Sequence, residues 1–165
     1  MIDLQAALLD SWDRQARIVS ACAELVTETN KRTQPTADGM PLFEQLAHIH
    51  SVRRYWLSEL DNATAENMPA SYTKGWEGPI DDLARLKELL ALSAAAVREI
   101  VSKSLTDGSE SWGGYDNPVL YLQHMIWHEG WHVGQIFQAL RSIREAPTDE
   151  WEEAHVWGEW RTENW

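Results

Sequence analysis

Apolar residues recur every three or four positions over four long stretches of this chain. Leu4, Leu8, Trp12, Ala16, Val19, Cys22 and Val26 fall in one stripe roughly 120° wide at ~100° per residue, the mark of an amphipathic helix. The spacing predicts a first helix over about 3–29, opened by Asp3 as N-cap and closed before the breakers Gln34-Pro35 and Asp38-Gly39. A second helix is expected from Pro41, as its first residue, to about Leu60, with Leu42, Leu46, Ile49, Trp56 and Leu60 on its apolar face. A connection of roughly 17 residues follows, longer than most and therefore a candidate functional segment; it carries Tyr72 and Trp76. The third helix starts near Pro79 to Asp81, shows Leu83, Leu86, Leu90, Ala94, Val97 and Val101 as its stripe, and stops at Thr106-Asp107-Gly108. Trp112, Gly113 and Gly114 form a turn before Asn117-Pro118, which reads as N-cap and first residue of a fourth helix running to about Arg144. Pro147 ends that helix, and the tail, 151–165, is expected to add one short helix dressed with four tryptophans. No useful stretch alternates with period two. The pattern therefore predicts an all-α fold, a four-helix bundle with a short C-terminal helix, in a single domain over 1–165.

Composition narrows the function classes. With 14 basic and 26 acidic residues the formal charge is −12, a surface that repels phosphate backbones and anionic lipids. The expectation is no nucleic acid and no membrane as partner, and a small-molecule substrate or a second copy instead. No apolar run approaches the ~20 residues that span a bilayer, and Met1-Ile2-Asp3 lacks the basic, apolar start of a signal peptide. The one cysteine, Cys22, lies on the buried stripe and permits neither an internal disulfide nor a cysteine-built zinc site. A cytoplasmic location is expected.

Five of the six histidines lie in two short helical stretches, Leu46-Ala47-His48-Ile49-His50 and the run from His124 through His128 to His132. The latter three share one side of the fourth helix. Neighbours one turn apart are separated by about 6 Å along the axis, so one ion can take an adjacent pair; His124 and His132, about 12 Å apart, cannot share it. A third ligand must come from elsewhere, and the second helix offers His48 or His50. These point about 200° apart, and periodicity leaves the choice between them open.

At these residues the chain resembles the DinB/YfiT-like superfamily. The resemblance rests on Leu46-Ala47-His48-Ile49 followed by Trp56-Leu57, on His128-Glu129-x-x-His132-x-Gly134-Gln135, and on the terminal Trp157-Gly158-Glu159-Trp160-Arg161. It implies a four-helix bundle holding a divalent metal ion, often zinc or nickel, through one histidine of the second helix and a pair on the fourth. Carried over, these are His48, His128 and His132, with His124 close by. Members often carry a basic residue where this chain has Val133. Some are similar to thiol-dependent S-transferases and isomerases, which implies a low-molecular-weight thiol as cosubstrate. Three neutral imidazoles leave a coordination position open, where a bound water or thiol loses its proton near neutral pH.

Rival patterns overlap this one. His128-Glu129-Gly130-Trp131-His132 matches the short zinc-protease motif, in which Glu129 would be the catalytic base; without a sheet to align a peptide, a solvated helix residue is the plainer expectation for Glu129. Glu129-x-x-His132 and Glu152-x-x-His155 resemble half of a di-iron bundle but lack the further glutamates on facing helices. Metal held for stability alone is the non-catalytic alternative. Gly130 and Gly134, one turn apart and flanked by Trp127 and Trp131, mark a strip suited to close helix approach, from which a homodimer is expected; the Trp-rich tail is the competing cover for that strip.

Overall fold

A computed structural model describes residues 2–108 and 112–162. Four long helices, α1 (Leu4–Glu24), α2 (Leu42–Leu60), α4 (Leu83–Asp107) and α5 (Pro118–Ser142), form the bundle. Around it the order is α1–α4–α2–α5, so α1 lies diagonal to α2 and α4 diagonal to α5. The short α3 (Asn62–Asn67) follows α2. After α5 come α6 (Asp149–Glu152) and one π-helical turn, Glu153–Trp157.

The helix starts follow the expected chemistry. Asp3, Asp82, Asn117 and Thr148 each accept a backbone N–H three residues on, and Pro118 occupies the first turn of α5. Pro41 is displaced by one position, standing as the N-cap of α2 rather than its first residue.

Two boundaries need correction. The first helix ends at Glu24, before the expected limit, although Val26 continues its stripe and is buried. Asn30 is the reason. Its buried Oδ1 accepts from the Thr27 amide at 2.8 Å, and its Nδ2 donates to the Leu25 carbonyl at 3.0 Å and to Glu145 at 2.9 Å. Such local bonds offer the backbone an alternative to the helix ladder. The third helix starts at Leu83, because Pro79 belongs to a strand.

The long connection is not irregular. Beyond α3 it forms a two-stranded antiparallel hairpin, β1 (Tyr72–Lys74) with β2 (Glu77–Pro79), paired Tyr72 to Pro79 and Lys74 to Glu77. Gly75 and Trp76 make its two-residue turn. Gly75 takes φ 57° at the first turn position, which suits the tight primed turns of hairpins. Strands of three residues are too short for period-two alternation to show.

The core divides into two apolar clusters with a polar layer between them. One cluster runs from Ile18 through Leu46, Leu86 and Ile136; the other gathers Trp12, Leu57, Val97 and Met125. The bonded members of that polar layer are three buried polar side chains from α2, α4 and α5: Arg53, Ser93 and Glu129. Arg53 and Glu129, each 1% exposed, form a two-pronged ion pair at 2.6 and 2.9 Å. The Arg53 Nη1 also donates to the Leu90 carbonyl at 2.8 Å and to Ser93 Oγ at 3.3 Å, and its guanidinium lies 5.1 Å from the Trp12 ring. Glu129 is thus not a solvated helix residue. It is buried because its face of α5 turns toward α2.

The tail packs back through Val156, which is buried, and Trp151, whose ring meets Phe137 edge-on at 6.3 Å. Trp165, the last of the tail's tryptophans, lies outside the described residues. Among the described residues no helix is long and apolar enough to cross a membrane.

Candidate metal centre

The site is built across α2 and α5. On α5, His128 and His132 are one turn apart, so their rings stand on the same face, with centroids 4.6 Å apart. On α2, His48 turns toward them: its Nε2 lies 3.3 Å from His128 Nε2, which is 3.2 Å from His132 Nε2. All three ligand atoms lie within 4.8 Å of one another. A tetrahedral ion with ~2.0–2.1 Å bonds to nitrogen holds its ligand atoms about 3.3–3.4 Å apart, so two edges already have the required length. The donor set fits a divalent cation. Among the described residues these three form the sole such convergence of histidine, cysteine or acidic side chains.

Residues 1–155 match the model of the DinB family. The chain belongs to that family. No curated protein and no solved structure matches it.

In this DinB protein His48 and His50 differ in what each ring touches. His50 is fully buried on the α4 side, with Nδ1 2.9 Å from the Leu89 carbonyl and Nε2 2.8 Å from the Pro69 carbonyl. Both its nitrogens face backbone carbonyls on that side, turned away from the trio. His124 is also apart from the trio. Its Nδ1 pairs with the Tyr115 hydroxyl, and its ring meets His128 edge-on at 6.4 Å.

Burial keeps the trio neutral. The His132 imidazole is pushed down to about 3, first by burial and then by the neighbouring His128 and His48. His128 falls to about 4, again first by burial and then by His48, His124 and Arg53. His48 is lowered by burial. Neutral imidazoles present lone pairs at neutral pH, as metal ligation requires.

A residue missed in the sequence sets the orientation of His132. Gln45, fully buried one turn before His48 and Ile49, accepts on Oε1 from His132 Nδ1. Its Nε2 donates to the Met40 carbonyl at 3.0 Å and to Gln135 Oε1 at 3.0 Å. The Met40 carbonyl can only accept, so the amide nitrogen must face it and the amide oxygen must face His132. His132 therefore carries its proton on Nδ1 and aims a bare Nε2 at the cluster. The one available signal was Gln135 in the α5 motif, which bonds to Gln45 but not to a ligand. Gln45→Leu should lower zinc affinity ~10–100-fold, as loss of a partner behind a ligand does, read by competition with a chromophoric chelator.

Trp76, in the hairpin turn of the connection marked as a candidate functional segment, is a second neighbour: its ring centroid is 5.4 Å from that of His48. Two chemically attractive residues are placed elsewhere. Cys22 is fully buried, and burial raises its thiol to about 12. Both Glu129 oxygens are held by Arg53.

Proposed function

We propose that this DinB protein is a metal-dependent enzyme that transfers a low-molecular-weight thiol to a small electrophile, with His48, His128 and His132 as ligands of a zinc or nickel ion. The observation that carries this reading is three convergent neutral imidazoles in a chain whose one thiol, Cys22, is buried away from them. Cys22 stays protonated within the core, so the attacking sulfur must come from outside. A bound ion would supply the chemistry of lowering the pKa of a thiol at its open position. The chain's part is to hold three ligand nitrogens on one side, to fix His132 through Gln45, and to shield His48 with Trp76. The thiol proton leaves to solvent, a carbon–sulfur bond forms at the electrophile, and the leaving group departs with its electron pair.

A peptidase reading of His128-Glu129-x-x-His132 needs a glutamate free to take a proton from water. Glu129 is 1% exposed and ion-paired, and the hairpin strands are three residues each, which disfavours it. The test is a titration of the cobalt-substituted protein with small thiols. A sulfur-to-metal charge-transfer band is expected. No band with any thiol, together with metal-dependent cleavage of esters or amides by water, would replace transfer with hydrolysis; loss of stability on chelation without any activity would reduce the ion to a structural one.

The same molecule is proposed to pair as a homodimer over α5. A Cβ placed on Gly130 or Gly134 meets nothing within 4 Å, and both glycines line an apolar groove of about 340 Å³ with Val133, Phe137, Trp157 and Trp160. The tail forms a wall of this groove and leaves it open. Trp127 and Trp131, 68% and 59% exposed, stand beside it with ring centroids 6.0 Å apart. Gly134→Arg should convert a dimer to a folded monomer by light scattering; a wild type already monomeric at micromolar concentration would end the idea.

A further inference from the structure

We infer that a pocket beside the histidines, centred on Arg54, is the receptor for a carboxylate on the small molecule that reaches them. The pocket, about 330 Å³, is lined by Ser51, Arg54, Tyr55, Ser58, Asn62 and Trp76, with Glu66 among its remaining walls. His48, Ser51, Tyr55 and Ser58 follow one another at helical spacing, so the pocket continues the histidine face along α2. Trp76 belongs to both places, its ring 5.4 Å from His48 and 6.5 Å from Tyr55.

Arg54 is anomalous in this chain. Among the described residues every other lysine or arginine that is buried or half-buried, namely Arg14, Lys31, Arg53, Lys87 and Arg161, makes an ion pair. Carboxylates are abundant, at 26 against 14 cations, yet among the described residues none pairs with half-buried Arg54. Its Nε donates to the Met68 carbonyl at 3.0 Å, which anchors the guanidinium and leaves both Nη groups without a partner among the described residues. A fork with two free donors on a wall between hydroxyls and aromatic rings suits a planar carboxylate. One cation suits a single charge better than a phosphate dianion. Glu66 is exposed, and its Oε1 is already held by Asn62 at 2.7 Å, so its opposing field is screened by water.

Arg54 lies six residues beyond His48, about 9 Å along the helix axis. Arg54 also stands about 120° around the helix from His48, so the ligand class is a carboxylate joined to its reacting atom by an apolar body between Tyr55 and Trp76. The identity of that atom as sulfur rests on the thiol-transfer reading above; the anion receptor does not.

Two measurements keep these apart. In the metal-free protein, calorimetry with 4-phenylbutyrate and its neutral amide should show the anion binding ~10–100-fold more tightly, the worth of charge-assisted hydrogen bonds in a half-buried site. Arg54→Gln should erase that preference and Arg54→Lys should retain part of it, with thermal melting as the check on folding. In the cobalt protein, 6-mercaptohexanoate should produce its spectral change at ~10-fold or lower concentration than 6-mercaptohexanol, again only with Arg54 present. Equal binding of phenylbutyrate and its amide by the wild type overturns the pocket whatever the variants do. Equal spectral titrations by both thiols overturn it while leaving thiol transfer intact. A phenylbutyrate preference without any thiol spectrum upholds the pocket and removes thiol transfer.

Discussion

Alanine at Glu129 or at Arg53 is expected to cost ~3–5 kcal/mol of folding stability, the usual consequence of leaving one charge of a buried pair uncompensated. Removing Glu129 strands a guanidinium that is 1% exposed and holds only the Leu90 carbonyl and Ser93 besides. Removing Arg53 strands a carboxylate within the apolar face of α5. The double replacement Arg53→Met with Glu129→Leu should behave differently, near wild-type stability or above it, because desolvating two ions offsets most of their attraction. Urea unfolding of the three variants reads this directly. The double variant also bears on the motif around Glu129: retained metal-dependent turnover in it would show that Glu129 contributes position, whereas total loss of turnover in a folded, metal-loaded protein would restore Glu129 as a participating base.

Alanine at His48, His128 or His132 is expected to abolish stoichiometric metal binding. Each removes one of three converging imidazoles, and two are too few to hold an ion against dialysis. His124→Ala should keep its metal, since the His124 Nδ1 is turned to the Tyr115 hydroxyl. His50→Ala should also keep it, while melting at lower temperature through loss of the bonds at Leu89 and Pro69. Elemental analysis after dialysis separates the two groups. Metal retained by His48→Ala and lost from His50→Ala would mean that α2 presents the other face to α5 when an ion binds.

Much of the fold was legible because it is local. The stripe of α4, the caps Asp3 and Asn117, and the Asn117-Pro118 start of α5 depend on residues within a turn or two of each other. The end of α1 departs from the periodicity for a related reason: Val26 does continue the buried face, but Asn30 draws the backbone into a turn, and periodicity reports only the former. The hairpin escaped because three-residue strands carry no detectable alternation.

By itself the sequence determined the all-α class, the four long helices, and the pairing of His128 with His132, since residues four apart on one helix meet in any fold that keeps the helix. The resemblance of its motifs to DinB proteins added His48, ahead of the geometry. Only the tertiary structure decided what depends on how one helix is rotated against another. That rotation turns His48 to the centre and spends His50 on carbonyls, joins Gln45 to His132 across 87 residues, and buries Glu129 against Arg53 across 76. It also leaves Arg54, beside Trp76, without a carboxylate partner among the described residues. Each of these contacts is set by side chains from separate segments competing for the same space and the same donors, and no spacing along a single segment encodes that competition.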